Sequence, residues 1–224
     1  MALLDRGVTT MLFFDLDGTL LDSNGIWLQI DIEFLEQHGI SPVPEDYTDF
    51  VSRNSFNASA VFTKERFQLS MTTHQIVARW QEMAREHYAR HLPLKPGARE
   101  LLEELVRRGE RLSVVTSCMP HLCASALERH GITNLFRSIH YSHLLGIEKS
   151  DPDLFRQVAR LEGLAPQDCV LLDDSPDYCA AAKEAGWQVW GVHDPLFDHR
   201  AQEFSALCGP DRYLKNLTSY LSLQ

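Results

Sequence analysis

The chain has 224 residues, of which 44% are hydrophobic and 23% are charged. This composition is typical of a globular protein, and it excludes a wholly disordered chain, a collagen and a small disulfide-rich scaffold. The 21 lysines and arginines and the 31 aspartates and glutamates give a formal net charge of −10. A nucleic-acid partner is disfavoured, because lysine and arginine supply much of the affinity for a phosphate backbone.

The first predicted element is a strand over Met11 to Phe14, an unbroken apolar run that stops at Asp15. Because polar residues do not alternate with apolar ones, both faces of the strand are expected to be buried, as in a central parallel strand. Asp17 follows two residues after Asp15, and Gly18 permits a tight turn. Two carboxylates at this spacing can divide the roles of nucleophile and general acid/base, and their oxygens can hold Mg²⁺.

The segment from about Asn24 to His91 carries no strong strand pattern. Two apolar helical faces, whose tryptophans we expect in a helical core, are predicted at Trp27, Ile30, Phe34 and Leu35 and at Ile76, Val77, Trp80, Met83 and Ala84. A middle helix is expected over about Asn57 to Leu69, and a loop over Pro42 to Ser55. We therefore predict a helical domain, residues 23–92, inserted after the first strand and large enough to act as a lid.

After the insert, apolar runs and helical patterns alternate. Strands are predicted at Leu112 to Val115, Cys169 to Leu172 and Val189 to Val192. Helices are predicted at Ala98 to Arg108, His121 to His130, Pro152 to Glu162 and Asp177 to Ala185. This alternation predicts a doubly wound, Rossmann-like α/β core with a parallel sheet, formed by residues 1–22 and 93–224. A strand or helix is expected near the C-terminus, over Arg212 to Leu223.

Chemically active side chains follow these predicted strands. Thr116 ends one apolar run, and Asp173 and Asp174 end another. Because ligand sites in parallel sheets form at the carboxyl ends of the strands, we expect these side chains to lie near Asp15 and Asp17.

Four spaced motifs resemble those of the haloacid dehalogenase-like superfamily. Residues 14–23, F-D-L-D-G-T-L-L-D-S, resemble the first motif, and Thr116 after its strand resembles the second. Lys149 in E-K-S-D-P resembles the third, and L-L-D-D-S at 171–175 resembles the fourth. The inserted segment resembles the helical cap of the β-phosphoglucomutase and phosphoglycolate phosphatase branch.

The resemblance implies a phosphatase mechanism. Asp15 would attack phosphorus and form an aspartyl-phosphate, and Asp17 would protonate the leaving oxygen and then deprotonate the hydrolytic water. Thr116, together with backbone N–H groups such as that of Ser117, would bind phosphoryl oxygens. Lys149 would place a cation beside Asp15 and the phosphate. The implied substrate is a small phosphorylated metabolite, such as a sugar phosphate.

The resemblance also implies Mg²⁺ as cofactor. Its ligands would be Asp15, the backbone carbonyl of Asp17 and Asp174, with Asp173 as a further ligand or a supporting partner. The metal ion and Lys149 together would offset the repulsion between these acidic groups and an anionic substrate.

Two details depart from the family pattern. The third motif reads K-S-D-P where K-P-x-P is usual. In the fourth motif, Tyr178 occupies the position of an additional aspartate, and Asp177 stands one residue short of it. We therefore assign no metal role to Asp177 and expect it only to favour the start of a helix.

Other functions stay open. In β-phosphoglucomutase a histidine follows the aspartate pair, whereas residues 25–28 here read G-I-W-L. Conversely, V-S-R at 51–53 resembles a mutase motif, so Arg53 is a candidate for binding a second anionic group of the substrate. We favour a phosphatase over a hexose-phosphate mutase, and over a catalytically silent protein that binds a phosphorylated ligand.

The cellular setting is predicted from what the sequence contains. The five cysteines form no C-x-x-C pair, and no apolar run approaches the length needed to cross a membrane. Residues 1–11 lack the long apolar region of a signal peptide. We therefore expect a cytoplasmic protein without a nucleic-acid or membrane partner, and a monomer by default.

Overall fold

The structure, a computed structural model, describes residues 10–51 and 56–223. The chain forms two compact units, one within Met1–Ser23 and Pro93–Gln224 and the other within Asn24–Leu92. Among the described helices, none combines the length and the apolar character that a bilayer span requires.

The first unit is built on a parallel sheet. Its strands among the described residues are β1 (Met11–Phe14), β2 (Arg111–Thr116), β3 (Ser138–Tyr141), β4 (Cys169–Asp173), β5 (Gln188–Val192) and β6 (Tyr213–Leu214). They lie in the order β3-β2-β1-β4-β5-β6, and every neighbouring pair is parallel. Phe13 of the central strand β1 is in register with Ser113 on one side and Leu171 on the other. The predicted Rossmann-like α/β fold is thereby confirmed.

The helices are numbered along the whole chain. The second unit contains α1 (Ile26–Gln37), α2 (Glu45–Val51), α3 (Phe56–Phe67) and α4 (Thr73–Arg90). The first unit contains α5 (Ala98–Arg107), α6 (Pro120–Arg129), α7 (Ser142–Leu145), α8 (Pro152–Glu162), α9 (Pro176–Glu184) and α10 (Ala201–Cys208). Short 3₁₀ helices cover Thr133–Leu135, Pro166–Asp168, Pro195–Arg200, Pro210–Arg212 and Leu217–Ser222.

Local sequence sets the bounds of helix α8. The side chain of Asp151 accepts a hydrogen bond from the backbone N–H of Asp153, which caps the first turn. Pro152 occupies the first helical position, where its missing N–H costs no hydrogen bond. Gly163 ends the helix with a φ of 67°, a left-handed conformation that glycine adopts without steric cost.

An apolar core anchors β1 and the helices α8 and α9. The ring of Phe13 lies 4.5 Å from that of Trp187, and Trp187 in turn meets Phe155 of α8 at 5.2 Å between centroids. Cys179 and Ala182 of α9 belong to the same fully buried cluster. This packing holds the carboxyl end of β1 beside the start of α9.

One strand, β3, departs from the sequence prediction. It lies at an edge of the sheet and is only half-buried along its length. The prediction looked for unbroken apolar runs, and these are typical of internal strands, which are covered on both faces. An edge strand such as β3 does not need such a run. The C-terminal stretch combines β6 with the 3₁₀ helix Leu217–Ser222.

The second unit is helical, with two corrections. Residues 45–51, within the segment predicted to be a loop, form helix α2, whose Tyr47 is fully buried. Trp27 was predicted in the core but is 40% exposed, whereas Trp80 is buried. The buried stripe of α1 runs through Ile26 and Ile30, and Trp27 is turned about 100° away from Ile26 around the helix axis.

Candidate active site

Three adjacent strands of the first unit bring polar side chains to one edge of the sheet. Asp15 directly follows β1, Thr116 ends β2, and Asp173 ends β4 with Asp174 immediately after it. All four residues are buried. Lys149, from the segment that precedes α8, is buried with them and is 1% exposed.

A tight turn after β1 orients Asp17. Gly18 has a φ of 78°, so the turn needs a residue without a β-carbon, and its N–H donates to the backbone oxygen of Leu21. The Ser23 hydroxyl donates to Asp17 Oδ1 at 2.7 Å. In the same turn, the Thr19 hydroxyl donates to Asp174 Oδ1 at 2.9 Å. One short segment thus supplies a hydrogen-bond donor to each of two carboxylates.

Lys149 is the cationic centre of the site. Its Nζ donates to Asp15 Oδ1 and lies 2.8 Å from Asp173 Oδ2. Burial opposes the charge on Lys149, but the two carboxylates outweigh it and hold the pKa of the ammonium above its usual value. The lysine therefore stays protonated inside the unit.

Negative charge exceeds positive charge in this cluster. Carboxylate oxygens of Asp15, Asp173 and Asp174 lie within 4.8 Å of one another, beside the single ammonium of Lys149. Burial raises the pKa of Asp15 well above its usual value; Lys149 lowers it, and the neighbouring carboxylates raise it further. Three buried carboxylates with hard oxygen donors fit a divalent cation such as Mg²⁺, which would balance the excess charge.

Both carboxylate oxygens of Asp173 are engaged by the protein. Oδ1 accepts a hydrogen bond from the N–H of Ser175 at 2.8 Å, and Oδ2 faces Lys149. The Ser175 side chain caps the start of α9. Asp173 is thus held by its own chain and, in turn, holds the lysine.

Thr116 and Ser117 lie at the carboxyl end of β2. Thr116 Oγ1 accepts a hydrogen bond from the N–H of Cys118 at 3.0 Å, which leaves the hydroxyl hydrogen as a donor. Ser117 is exposed, and its Oγ receives a hydrogen bond from the Ser142 hydroxyl at 3.3 Å.

The geometry also includes residues that the motif pattern did not single out. Ser23 and Thr19 belong to the quoted first motif, so that motif carried the signal for them. The ring of Tyr178 lies 4.8 Å from Lys149 Nζ, a contact that no spacing in the sequence indicates. Asp177, beside it, is paired instead with Arg200 at 3.0 Å.

Asp17 and Arg53 are the remaining assigned residues. The side chain of Asp17 is not one of the three clustered carboxylates, and the role assigned to it as a metal ligand concerns its backbone oxygen. Arg53 lies outside the described residues.

Comparisons with known proteins agree with this fold. The model of the family described as "Haloacid dehalogenase-like hydrolase" matches residues 12–192. The chain is 29% identical over 197 residues to hexitol phosphatase A of Escherichia coli, covering 85% of this chain and 86% of the relative. It is 26% identical over 223 residues to the phosphoglycolate phosphatase of Vibrio parahaemolyticus, covering 95% of each.

A solved structure shows the same fold. A protein assigned as a β-phosphoglucomutase from Thermotoga maritima superposes with a TM-score of 0.83 and 22% identity, covering 96% of this chain and 98% of that one. At this identity the similarity establishes the architecture alone.

Proposed function

The chain belongs to the haloacid dehalogenase-like hydrolase family, and from this premise we propose that it is a Mg²⁺-dependent phosphatase of a small phosphorylated metabolite. The observation that carries the proposal is the buried group of Asp15, Lys149, Asp173 and Asp174. Relatives that act as a hexitol phosphatase and a phosphoglycolate phosphatase support a phosphomonoester substrate, such as a sugar phosphate.

Asp15 is the nucleophile in this proposal. Its carboxylate oxygen forms a bond to phosphorus while the bond from phosphorus to the ester oxygen breaks, which gives an aspartyl-phosphate and an alcohol. Lys149, hydrogen-bonded to Asp15, favours the ionised carboxylate that this attack requires and offsets the charge of the phosphoryl group.

Asp17 acts as general acid and then as general base. It gives its proton to the leaving oxygen, and it later takes a proton from the water that attacks the aspartyl-phosphate, so that inorganic phosphate is released and Asp15 is restored. The hydrogen bond from Ser23 holds the carboxylate of Asp17 in a fixed orientation for these proton transfers.

Asp15, Asp174 and the backbone oxygen of Asp17 would hold Mg²⁺. When bound, the ion supplies charge neutralisation for the phosphoryl oxygens. We assign Asp173 the role of holding Lys149, because both of its oxygens already have partners. Thr116 and the backbone N–H of Ser117 would bind phosphoryl oxygens.

The remaining assignments belong to the same proposal. The inserted domain, residues 23–92, would act as a cap that selects the leaving group, and Arg53 would bind a second anionic group. All five cysteines are described, free and buried, which favours a reducing compartment such as the cytoplasm. We propose a monomer without a nucleic-acid or membrane partner.

The test is release of inorganic phosphate from a panel of phosphorylated metabolites, with and without Mg²⁺. We expect Mg²⁺-dependent release from at least one phosphomonoester, lost in Asp15→Asn. Asp198→Asn, which changes an exposed aspartate of the same unit, is the matched control and should retain activity. Equal turnover by Asp15→Asn and the wild type would overturn the proposal.

The mutase alternative is decided by product analysis. Incubation with β-glucose 1-phosphate and Mg²⁺ yields free phosphate if the protein is a phosphatase and glucose 6-phosphate if it is a mutase. Binding of phosphorylated ligands without either product would favour a catalytically silent protein.

A further inference from the structure

Tyr178 lies beside Lys149, the cationic centre of the site. The residue is in the first turn of α9, is half-buried, and its backbone N–H donates to the capping Ser175 hydroxyl. Its ring faces the Lys149 ammonium at 4.8 Å from the ring centroid.

The ring completes the surroundings of a buried cation. Lys149 directs its ammonium toward Asp15 and Asp173, and the face of Tyr178 lies on a further side. An aromatic face attracts a cation electrostatically, and the attraction grows when water is excluded. Since Lys149 is fully buried, this contact belongs to the stronger class.

We propose that Tyr178 is a positioning residue that holds the Lys149 ammonium in place beside Asp15 and Asp173, and thereby sets the geometry in which a phosphoryl group is bound. This inference rests on the proposed phosphatase function. Tyr178 would act through Lys149 rather than on the substrate. It adds an aromatic positioning residue at a place where the sequence departs from the motif that it otherwise resembles.

Two substitutions separate the ring from the hydroxyl group. Tyr178→Leu removes both, and Tyr178→Phe keeps the ring over Lys149. With p-nitrophenyl phosphate and Mg²⁺, we expect Tyr178→Leu to lower kcat/KM about thirtyfold, the equivalent of about 2 kcal/mol for a desolvated cation–π contact. Tyr178→Phe, which keeps the aromatic face, should stay within about threefold of the wild type.

A background substitution tests whether the ring acts through the lysine. In Lys149→Met, the further change Tyr178→Leu should alter the affinity for inorganic phosphate, measured by calorimetry with Mg²⁺, less than about threefold. Tyr213→Leu, the same change at a half-buried tyrosine of β6, controls for a general loss of packing and should leave kcat/KM unchanged.

The outcomes keep this inference distinct from the proposed function. If the wild type hydrolyses no phosphomonoester, the proposed function fails, and phosphate affinity alone then decides the role of Tyr178. Equal losses in Tyr178→Phe and Tyr178→Leu, an undiminished effect in the Lys149→Met background, or no phosphate binding by the wild type would each overturn the inference. A fall in melting temperature common to Tyr178→Leu and Tyr178→Phe, with activity unchanged at low temperature, would also overturn it.

Discussion

Lys149 Nζ lies 2.8 Å from Asp173 Oδ2, and neither side chain is exposed to solvent. The same ammonium donates to Asp15, so a single buried cation serves two carboxylates. An ion pair in this setting adds little net stability when it is complete, yet removing one partner leaves an uncompensated buried charge. The presence of this lysine therefore affects both the stability of the fold and the chemistry of the site.

Replacing Lys149 by methionine should affect folding and catalysis together. At pH 7 in the absence of Mg²⁺, we expect the free energy of unfolding to fall by about 3–5 kcal/mol, because Asp15 and Asp173 lose their cation. The value of kcat/KM should fall by about 10²–10³, as when a preoriented electrostatic group is removed from an active site. Urea titration and steady-state assays measure the two effects. Lys215→Met, at an exposed lysine, is the control; similar stability and activity in both variants would contradict the argument.

Thr19 supports a proposed metal ligand rather than the substrate. Its hydroxyl donates to Asp174 Oδ1 at 2.9 Å, and partners of this kind orient ligands and are worth about 10–100-fold in metal affinity. We expect Thr19→Val, which keeps the shape of the side chain, to raise the Mg²⁺ concentration for half-maximal activity by that factor, while activity at saturating Mg²⁺ changes little. Thr218→Val, near the C-terminus, is the matched control. An unchanged Mg²⁺ requirement would show that Thr19 does not orient Asp174.

The sequence predicted the helices beside the sheet more accurately than the edge of the sheet and the second unit. Predicted helices begin and end within one residue of α5, α6, α8 and α9, because glycine, proline and capping residues mark their ends. The edge strand β3 was missed, since a strand covered on one face need not be an apolar run. Helix α2 was also missed, because its burial depends on Tyr47 meeting side chains of α1 and α3.

In the candidate site, too, some residues could be placed from the strand pattern and others could not. Asp15, Thr116 and Asp173 come together because three neighbouring parallel strands end at one edge, which the strand pattern predicts. Lys149 comes from a segment outside the sheet, and only the resemblance of its motif indicated its role. The contact of Tyr178 with Lys149 depends on the rotation of α9 relative to that segment, which no local pattern encodes.

Ser23 provides a test of how Asp17 is oriented. Its hydroxyl donates to Asp17 Oδ1 at 2.7 Å, and a hydrogen bond to a charged group contributes about 1.5–3 kcal/mol. We expect Ser23→Ala to lower kcat by roughly ten- to hundredfold, an effect of about that size, with little change in KM, because Asp17 is proposed to exchange protons rather than bind substrate. Asp17→Asn should cost about 10²–10⁴. Ser222→Ala, at an exposed residue that ends the 3₁₀ helix Leu217–Ser222, should leave both parameters unchanged. A loss confined to KM would argue against an orienting role.

The raised pKa of Asp31 predicts how the stability of the second unit depends on pH. Burial raises its pKa from 3.8 to about 6, although the hydrogen bond from the Tyr47 hydroxyl at 3.2 Å lowers it. Because the folded protein holds this proton more tightly than the unfolded chain, the contribution to stability is complete below about pH 4 and is lost as the pH rises through 6. The difference between the two pKa values corresponds to about 3 kcal/mol.

Substituting asparagine for Asp31 should remove this dependence, since the amide oxygen can still accept the Tyr47 hydrogen bond and carries no charge. We expect Asp31→Asn to raise the free energy of unfolding by about 2–3 kcal/mol at pH 8 and to change it little at pH 4, as measured by urea titration across that range. Asp46→Asn alters an exposed aspartate of the same unit and should shift stability by less than about 1 kcal/mol at either pH. Parallel stability curves for Asp31→Asn and the wild type between pH 4 and 8 would mean that Asp31 titrates alike in the folded and unfolded states, and that its burial carries no cost.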